Sequence, residues 1–387
     1  MFARLQQVVW REFGIMRKNR MYLFCMVVLP VIVVIFFTSL MSGGQPTDMP
    51  VGVVDLDNTP TTRTLVRKLD AFQATKVVKH YASVADARRD IQRNKIYAFI
   101  YIPEGTTDKL LSMRQPKISF YYSSTSYTAG ALLYRDLKTI STLGSAGVGA
   151  TLLSAKGLSE EQVMSILQPV IVDLHTVNNP LVNYSVYLNT MLIPGCIMLF
   201  IFIVTAYSIG TELKFNSAKE WLDTSGGNIF VALMGKMLPQ TIIFLIIMYA
   251  YMFYVFGVLH FPHPGGPGYI LLLGVLSVLS SQGFGIFVFG VVPSLRMSMS
   301  ICCLWAVLSY SLSGTAFPLS AMDSEIKAIA LLFPLRHYYM IYQLNIFNGY
   351  SLEFSWPYMV ALMAFATLPL LVTGRIKKAL QTYQYIP

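Results

Sequence analysis

Six long apolar runs divide the chain. They cover approximately residues 21–41, 187–209, 229–257, 269–293, 299–317 and 357–373. A helix that crosses the hydrocarbon core of a bilayer needs about 20 mostly apolar residues, and several runs reach that length with no charged residue inside. The pattern therefore predicts an α-helical polytopic membrane protein with six transmembrane helices, the first at residues 21–41.

The segment before the first run has helical periodicity. Leu5, Val8, Val9, Phe13 and Met16 recur at three- and four-residue spacing, with arginines and glutamines on the opposite side. This pattern predicts an amphipathic helix at residues 1–20 that lies on the cytoplasmic membrane surface. A frayed terminus is the alternative.

The basic residues before the first run predict the orientation of the chain. Arg4, Arg11, Arg17, Lys18 and Arg20 precede the run, and such basic flanks stay in the cytoplasm. A cleaved signal peptide is the rival interpretation, but the apolar run is too long and no Ala-x-Ala site follows it. We therefore expect both termini in the cytoplasm, including a basic tail at residues 375–387, and we expect a bacterial inner membrane protein.

Residues 42–185 have the pattern of an extracytoplasmic α/β domain inserted between the first two spans. Short apolar runs suit strands at residues 51–55, 76–81, 96–102, 117–122 and, as a last addition, 170–176. Pro60 and Ser83 open helices between them, because proline favours the first helical position and serine caps helices. Strands that alternate with helices predict a small, partly parallel sheet.

Composition and charge agree with a membrane protein. Charged residues make up 12% of the chain, its hydrophobic fraction is 55% and its net charge is +10. A soluble domain usually contains about 25% charged residues. The basic residues outside the domain flank the spans, so their distribution argues against a nucleic-acid partner. The four cysteines fall in apolar runs with no zinc-ligand spacing, so no metal site or other cofactor is expected.

The sequence contains no phosphate-binding loop of the Walker type. Ion-coupled carriers usually place ionisable side chains inside their spans, whereas these spans contain almost none. Lys236 is the nearest case, and its place near a span end allows the ammonium group to snorkel to the head groups. The residues therefore indicate a permease, without catalytic residues of its own, that another subunit drives.

Two segments between the later runs have candidate roles in coupling and gating. Residues 211–224 predict a short amphipathic helix with Phe215, Trp221 and Leu222 on one side, either a contact for a partner or a helix that lies on the bilayer. In residues 320–350, two apolar stretches are too short to cross and predict re-entrant or interfacial helices. Tyr338 and its neighbouring tyrosines suit an aromatic belt at the membrane–water interface, and a role as an outer gate is the alternative.

Several short motifs, in this order, resemble the ABC-2 type permeases, specifically the subgroup with a large extracytoplasmic domain between the first two spans. These motifs are VGVVDLDNTP at residues 51–60, the Ile-Pro turn at 102–103, GKMLPQ at 235–240, LSGTAFPLSAM at 312–322, LLFPLRHYY at 331–339 and Asn-Gly-Tyr at 348–350. One departure concerns the loop after the second span, where many relatives have Glu-Arg-x-x-Gly-Thr. Here Glu212 is followed by Lys214, Asn216 and Ser217.

The resemblance implies roles for named residues. It implies that residues 186–374 hold transmembrane helices 2–6 of one protomer in a homodimer or heterodimer that binds cytosolic ATPase subunits, and for some members a periplasmic adaptor. The implied ATPase-coupling residues are Glu212, Phe215, Lys219, Glu220 and Trp221. The implied family motif is Gly235, Lys236 and Pro239. The implied outer-gate residues are Pro318, Pro334 and Tyr338.

The resemblance also implies the function. Permeases of this subgroup export hydrophobic or amphiphilic compounds such as lipids and drugs. Two other classes stay open from the residues alone: a membrane-anchored sensor or binding protein that acts through its extracytoplasmic domain, and an ion-coupled carrier.

Overall fold

The computed structural model describes residues 1–112, 114–154, 157, 159–167, 179, 182–315 and 317–382. The chain divides into two compact units. The first, here called the membrane unit, holds Met1–Ser42 and Val177–Pro387, and the second, the inserted domain, holds Gly43–Thr176. The strand predicted at residues 170–176 lies outside the described residues.

Two consecutive helices open the membrane unit. Helix α1 is Phe2–Lys18 and helix α2, the first candidate span, is Arg20–Leu40. Asn19 separates them, because its backbone is extended (φ −97°, ψ 106°) and its side chain accepts a hydrogen bond from the Met21 amide at 3.0 Å. Asparagine is a preferred helix cap, so this residue ends one helix and begins the next.

The inserted domain contains a four-stranded sheet with the order β2-β1-β3-β4. Its strands are β1 (Met49–Asp55), β2 (Thr75–His80), β3 (Ala98–Ile102) and β4 (Ser119–Tyr122). Strand β1 pairs in parallel with β2 and β3, and β4 runs antiparallel to β3. The predicted small, partly parallel sheet is confirmed.

Helices alternate with the strands of the sheet, and two more follow its last strand. They are α3 (Pro60–Asp70), α4 (Val84–Gln92), α5 (Thr106–Leu111), α6 (Tyr127–Ser154) and α7 (Glu160–Leu167). Thr59 caps α3 through a reciprocal bond pair with Thr62, and the Ser83 side chain accepts a hydrogen bond from the Asp86 amide at the start of α4. The core of the domain joins β1, β3, α3 and α6, as the burial of Val53, Leu69 and Leu133 indicates.

Six helices in the described chain have the length and apolar composition to cross a membrane. After α2 they are α8 (Ser185–Lys214), α10 (Ile229–Val258), α11 (Pro267–Val291), α12 (Leu295–Leu312) and α15 (Trp356–Thr382). A short helix, α9 (Ala218–Thr224), lies between the second and third spans. The predicted six-span helical membrane fold is confirmed.

Helix α11 packs against α8, α10 and α15 through small residues. A Cβ added at Gly283 would come within 2.2 Å of the Phe365 carbonyl oxygen in α15, and one at Gly285 within 2.9 Å of Thr205 Cβ in α8. Spans associate mainly by close packing, because lipid tails are as apolar as the side chains they would replace. These glycines therefore allow the backbones to approach.

The segment after the fifth span forms two short helices, α13 (Ser324–Ala330) and α14 (Pro334–Ile341), the latter continued by a π turn through Phe347. Tyr338, Tyr339 and Tyr342 are buried in the core that the spans share. The predicted interface belt is therefore wrong. Spacing alone could not tell these positions apart, because aromatic side chains suit both an interface and a packed core.

Helix α1 packs along α10. Its buried residues are Val8, Glu12 and Met16, which recur every four positions and so share one face. Phe13, which the periodicity placed on the apolar face, is 39% exposed. The buried face of this helix has a carboxylate at its centre, and an apolar pattern cannot predict that.

Candidate functional site

The segment predicted as one coupling helix at residues 211–224 consists of two parts. Residues Thr211 to Lys214 belong to the last turn of α8, and only α9 forms a separate helix. Trp221 in α9 is fully buried, while Phe215 in the turn between the helices is 66% exposed. The prediction that Phe215 and Trp221 share one side is therefore wrong, because a tight turn at Asn216, whose φ is 53°, intervenes.

The five predicted coupling residues separate into an inner and an outer group. Glu212 and Trp221 face the interior, with exposures of 2% and 0%. Phe215, Lys219 and Glu220 are exposed, and we call these three the coupling surface. The segment thus places exposed and buried side chains within a few residues of each other.

Lys236 lies inside the membrane unit and is only 1% exposed. Its Nζ donates to Glu12 Oε2 at 2.6 Å and to Glu212 Oε1 at 2.7 Å. The ammonium group also lies 4.8 Å from the centroid of the Trp221 ring, which is a cation–π distance. The prediction that Lys236 snorkels to the head groups is wrong, because two carboxylates hold its charge in the interior.

Arg11 of α1 completes this arrangement. Its Nη1 and Nη2 donate to the two oxygens of Glu212 at 2.8 and 3.0 Å, and its Nε donates to Glu220 Oε1 at 3.2 Å. Burial alone would lower the pKa of Arg11, but the hydrogen bonds and charges of Glu212 and Glu220 outweigh burial and raise that pKa above its usual value. Arg11 therefore stays cationic.

We call Arg11, Glu12, Glu212 and Lys236 the charge cluster. It contains two cations and two carboxylates, so its formal charges balance. Its members come from α1, α8 and α10, and through Glu220 and Trp221 it also contacts α9. Charges in a low-dielectric interior are tolerated only when they are paired and hydrogen-bonded. The cluster consequently holds four helices in one arrangement.

Polar neighbours supply further hydrogen bonds to the carboxylates. Ser217 Oγ donates to Glu212, and Gln240 Nε2 donates to Glu12 Oε1 at 3.5 Å. Sequence reasoning identified Glu212 and Lys236 but missed Arg11 and Glu12. The available signal was a carboxylate in the middle of the apolar face of α1, at four-residue spacing from Val8 and Met16.

Gly235 and Pro239, the other members of the predicted family motif, are also buried in α10. A Cβ at Gly235 would lie 2.7 Å from Val8 Cβ, so only glycine lets α1 approach this closely. Pro239 has no amide hydrogen, so the Gly235 carbonyl loses its usual helical partner. The motif therefore combines close helix contact with the buried lysine.

A groove of about 420 Å³ runs between α1 and the segment before α9. Trp10, Arg11, Ile15, Phe215 and Glu220 are among the residues that line it. Trp10 is 69% exposed, so two large aromatic side chains, Trp10 and Phe215, border a groove with charged groups in its wall. Exposed aromatic groups beside charges are typical of protein-binding surfaces.

The three predicted gate residues do not share one environment. Pro318 is exposed, whereas Pro334 and Tyr338 are buried at the start and middle of α14. Two neighbours of these residues hold α14 in place: Arg336 Nη1 donates to the Ser313 carbonyl at 3.2 Å, and His337 Nε2 lies 2.8 Å from the Leu331 carbonyl oxygen. Within the described residues, no group of three or more His, Cys, Asp or Glu side chains could hold a metal ion.

No curated protein matches the chain. The family described as ABC-2 family transporter protein matches residues 20–375, which include all six candidate spans except the last residues of α15. The chain therefore belongs to the ABC-2 family of transporter proteins and is a membrane subunit of an ABC transport system.

Proposed function

We propose that this permease subunit exports hydrophobic or amphiphilic compounds from the cytoplasm and that a separate cytosolic ATPase drives it by contacting the coupling surface. In this proposal the coupling surface faces the cytoplasm and the inserted domain lies on the other side of a bacterial inner membrane. The basic residues before α2 and those near the carboxyl end of α15 (Arg375, Lys377 and Lys378) support that orientation.

One observation carries the proposal. Phe215, Lys219 and Glu220 are exposed, while Glu212 and Trp221 of the same segment are buried against α10 and α1. A partner that pushes the exposed side chains must move the buried ones, because Glu212 is bonded to both Arg11 and Lys236. Packed helices shift as rigid bodies, so such a push reaches the second and third spans.

The groove between α1 and α9 supports a protein partner. Its exposed Trp10 and Phe215 supply apolar anchors, and Lys18 and Glu220 supply charges in its lining. A helix end or loop of the ATPase fits a groove of this kind. We further propose that two permease protomers assemble with two ATPase subunits, and that an adaptor, where one exists, docks on the inserted domain.

The test is a double substitution of exposed residues. We expect Phe215→Ala with Lys219→Glu to leave the yield and melting temperature of the permease unchanged, because neither side chain is buried. In a reconstituted complex with its ATPase, basal hydrolysis should persist while substrate-stimulated hydrolysis and transport fall by at least about tenfold, a coupling loss of about 1.4 kcal/mol.

A matched control uses an aromatic and a lysine outside the coupling surface. Phe354→Ala with Lys327→Glu also removes an exposed phenyl ring and reverses an exposed charge. This variant should behave like the native protein. Unchanged substrate-stimulated hydrolysis in the Phe215→Ala, Lys219→Glu variant would place the partner elsewhere.

A further inference from the structure

The inserted domain contains a groove of about 1240 Å³, here called the domain groove. It lies between α3, α6 and the chain that leads into β4. Sites for drug-sized ligands usually measure about 300–1,000 Å³. The domain groove is therefore large enough for a ligand of lipid size.

One side of the domain groove is apolar. Leu65, Ile118 and Phe120 line it and are partly buried against the core of the domain, and Ile140 beneath them is fully buried. Leu143 of α6 also lines the groove, although 56% of its surface is exposed. A continuous apolar wall with an exposed leucine suits an apolar ligand chain, which would remove this surface from water.

The polar side chains of the domain groove include three cations. Lys68, Arg114 and Lys117 all line it and are exposed. No Asp or Glu is among the described lining residues, and none of these cations forms an ion pair within the described part of the chain. Elsewhere in this domain, Lys79 and Arg89 do have carboxylate partners. The groove thus presents positive charge that an anionic group would neutralise.

Glycines of α6 keep the domain groove wide. A Cβ at Gly147 would meet no atom within 4 Å, whereas one at Gly144 would lie 3.2 Å from Leu65 Cδ1. Glycine inside a helix costs about 0.5–1 kcal/mol relative to alanine. Glycine at position 147 therefore leaves space in the groove, although alanine at this position would stabilise the helix.

We propose that the domain groove binds an anionic amphiphile, with its acyl chain along Leu65 and Phe120 and its carboxylate or phosphate head at Lys68, Arg114 and Lys117. In this proposal the domain groove receives the exported molecule, so the inference rests on the proposed function. Binding itself can be measured without transport.

Photolabelling of the full-length protein in phosphatidylcholine nanodiscs tests the proposal. The probes are photoactivatable palmitic acid, lysophosphatidic acid with the same chain, and the matched uncharged palmityl alcohol. We expect saturable labelling of groove peptides by one or both anionic probes, with an apparent Kd at least about tenfold below that of the alcohol. The stronger of the two anionic probes tells a carboxylate ligand from a phosphate ligand.

Matched variants locate the binding. Gly147→Trp should abolish labelling by filling the groove, whereas Ala131→Trp, at an exposed position of the same helix, should not. Lys68→Gln with Lys117→Gln should raise the Kd of the anionic probes at least about tenfold and leave labelling by the alcohol unchanged, whereas Arg88→Gln should change neither. Native elution on size exclusion verifies that each variant is folded.

Equal labelling by acid and alcohol, or normal labelling of a folded Gly147→Trp variant, would overturn the inference. Failure of the proposed function has a different signature. In that case the groove would bind the anionic probe, but the probe would not stimulate hydrolysis by any ATPase that the permease binds.

Discussion

At the residue scale, the charge cluster explains how a lysine is stable inside the membrane unit. Lys236 donates to two carboxylates, and Arg11 shares one of them, so two cations face two anions. Removing one partner of a buried ion pair leaves an uncompensated charge, which costs about 3–5 kcal/mol. The stability of the unit therefore depends on the balance of the cluster more than on any one pair.

Lys236→Met tests this balance. The substitution keeps a long apolar side chain but leaves Glu12 and Glu212 with Arg11 alone, so we expect a loss of about 3–5 kcal/mol. The measurement is thermal unfolding in detergent, followed by size exclusion. Lys236→Met combined with Glu12→Gln should recover part of the loss, because the second change removes the unmatched charge.

Lys214→Met is the control, since Lys214 is exposed and has no carboxylate partner in the described chain. A surface substitution of this kind should change stability by no more than about 0.5 kcal/mol. Equal melting temperatures for Lys236→Met and Lys214→Met would contradict the structural role of the cluster.

At the same scale, sequence reasoning had a clear limit. It selected Glu212 and Lys236 from family motifs, but it placed Lys236 at the head groups. Hydropathy describes only the local segment around Lys236. It cannot detect the partner Glu12, which lies 224 positions away in the sequence. Only a fold that brings α1 onto α10 shows that the two charges meet.

At the element scale, the docking of α1 on α10 depends on the absence of a side chain at Gly235. Val8 Cβ lies only 2.7 Å from the position that a Cβ at Gly235 would take. Gly14 lies on the exposed face of α1, and a Cβ added there would meet no atom within 4 Å. Substitution by alanine therefore meets a close contact at Gly235 and open space at Gly14.

Gly235→Ala and Gly14→Ala should change stability in opposite directions. The first overpacks the contact with Val8 and should cost about 1–3 kcal/mol. The second removes a flexible residue from a helix and should gain about 0.5–1 kcal/mol. Thermal unfolding of both variants in one detergent measures the difference, and a stabilised Gly235→Ala protein would contradict the close docking of α1.

Elements with local signals were predicted well, and those set by packing were not. Proline, serine and threonine caps identified α3 and α4, and apolar length identified the six spans. The boundary between α8 and α9 was missed because Phe215 continues the apolar pattern while Asn216 turns the backbone. The burial of Tyr338 was missed because its partners come from other spans.

At the scale of the whole molecule, the proposed function requires that the inserted domain and the coupling surface lie on opposite sides of the membrane. The test first replaces the native cysteines by alanine (Cys25, Cys196, Cys302 and Cys303). A single cysteine is then introduced, either as Arg88→Cys in α4 of the inserted domain or as Lys219→Cys in the coupling surface. In intact spheroplasts, a membrane-impermeant maleimide should label the Arg88→Cys protein only.

Permeabilisation provides the control, since it should expose the Lys219→Cys protein to the same reagent. Labelling of the Lys219→Cys variant before permeabilisation would exclude a cytosolic motor at that surface. The six spans and the inserted sheet were predictable at this scale, because length and periodicity are properties of contiguous segments. The domain groove was not, since its walls come from segments that are separated in the sequence.

The residues of the charge cluster are far apart in the sequence, so they are synthesised at different times. Arg11 leaves the ribosome about two hundred residues ahead of Glu212, and Glu12 precedes Lys236 by 224 residues. Helix α1 must therefore wait, undocked, until the third span has been inserted. We expect the newly made chain to complete this contact only after residue 236 has been inserted, although helix α1 is the first element to be made.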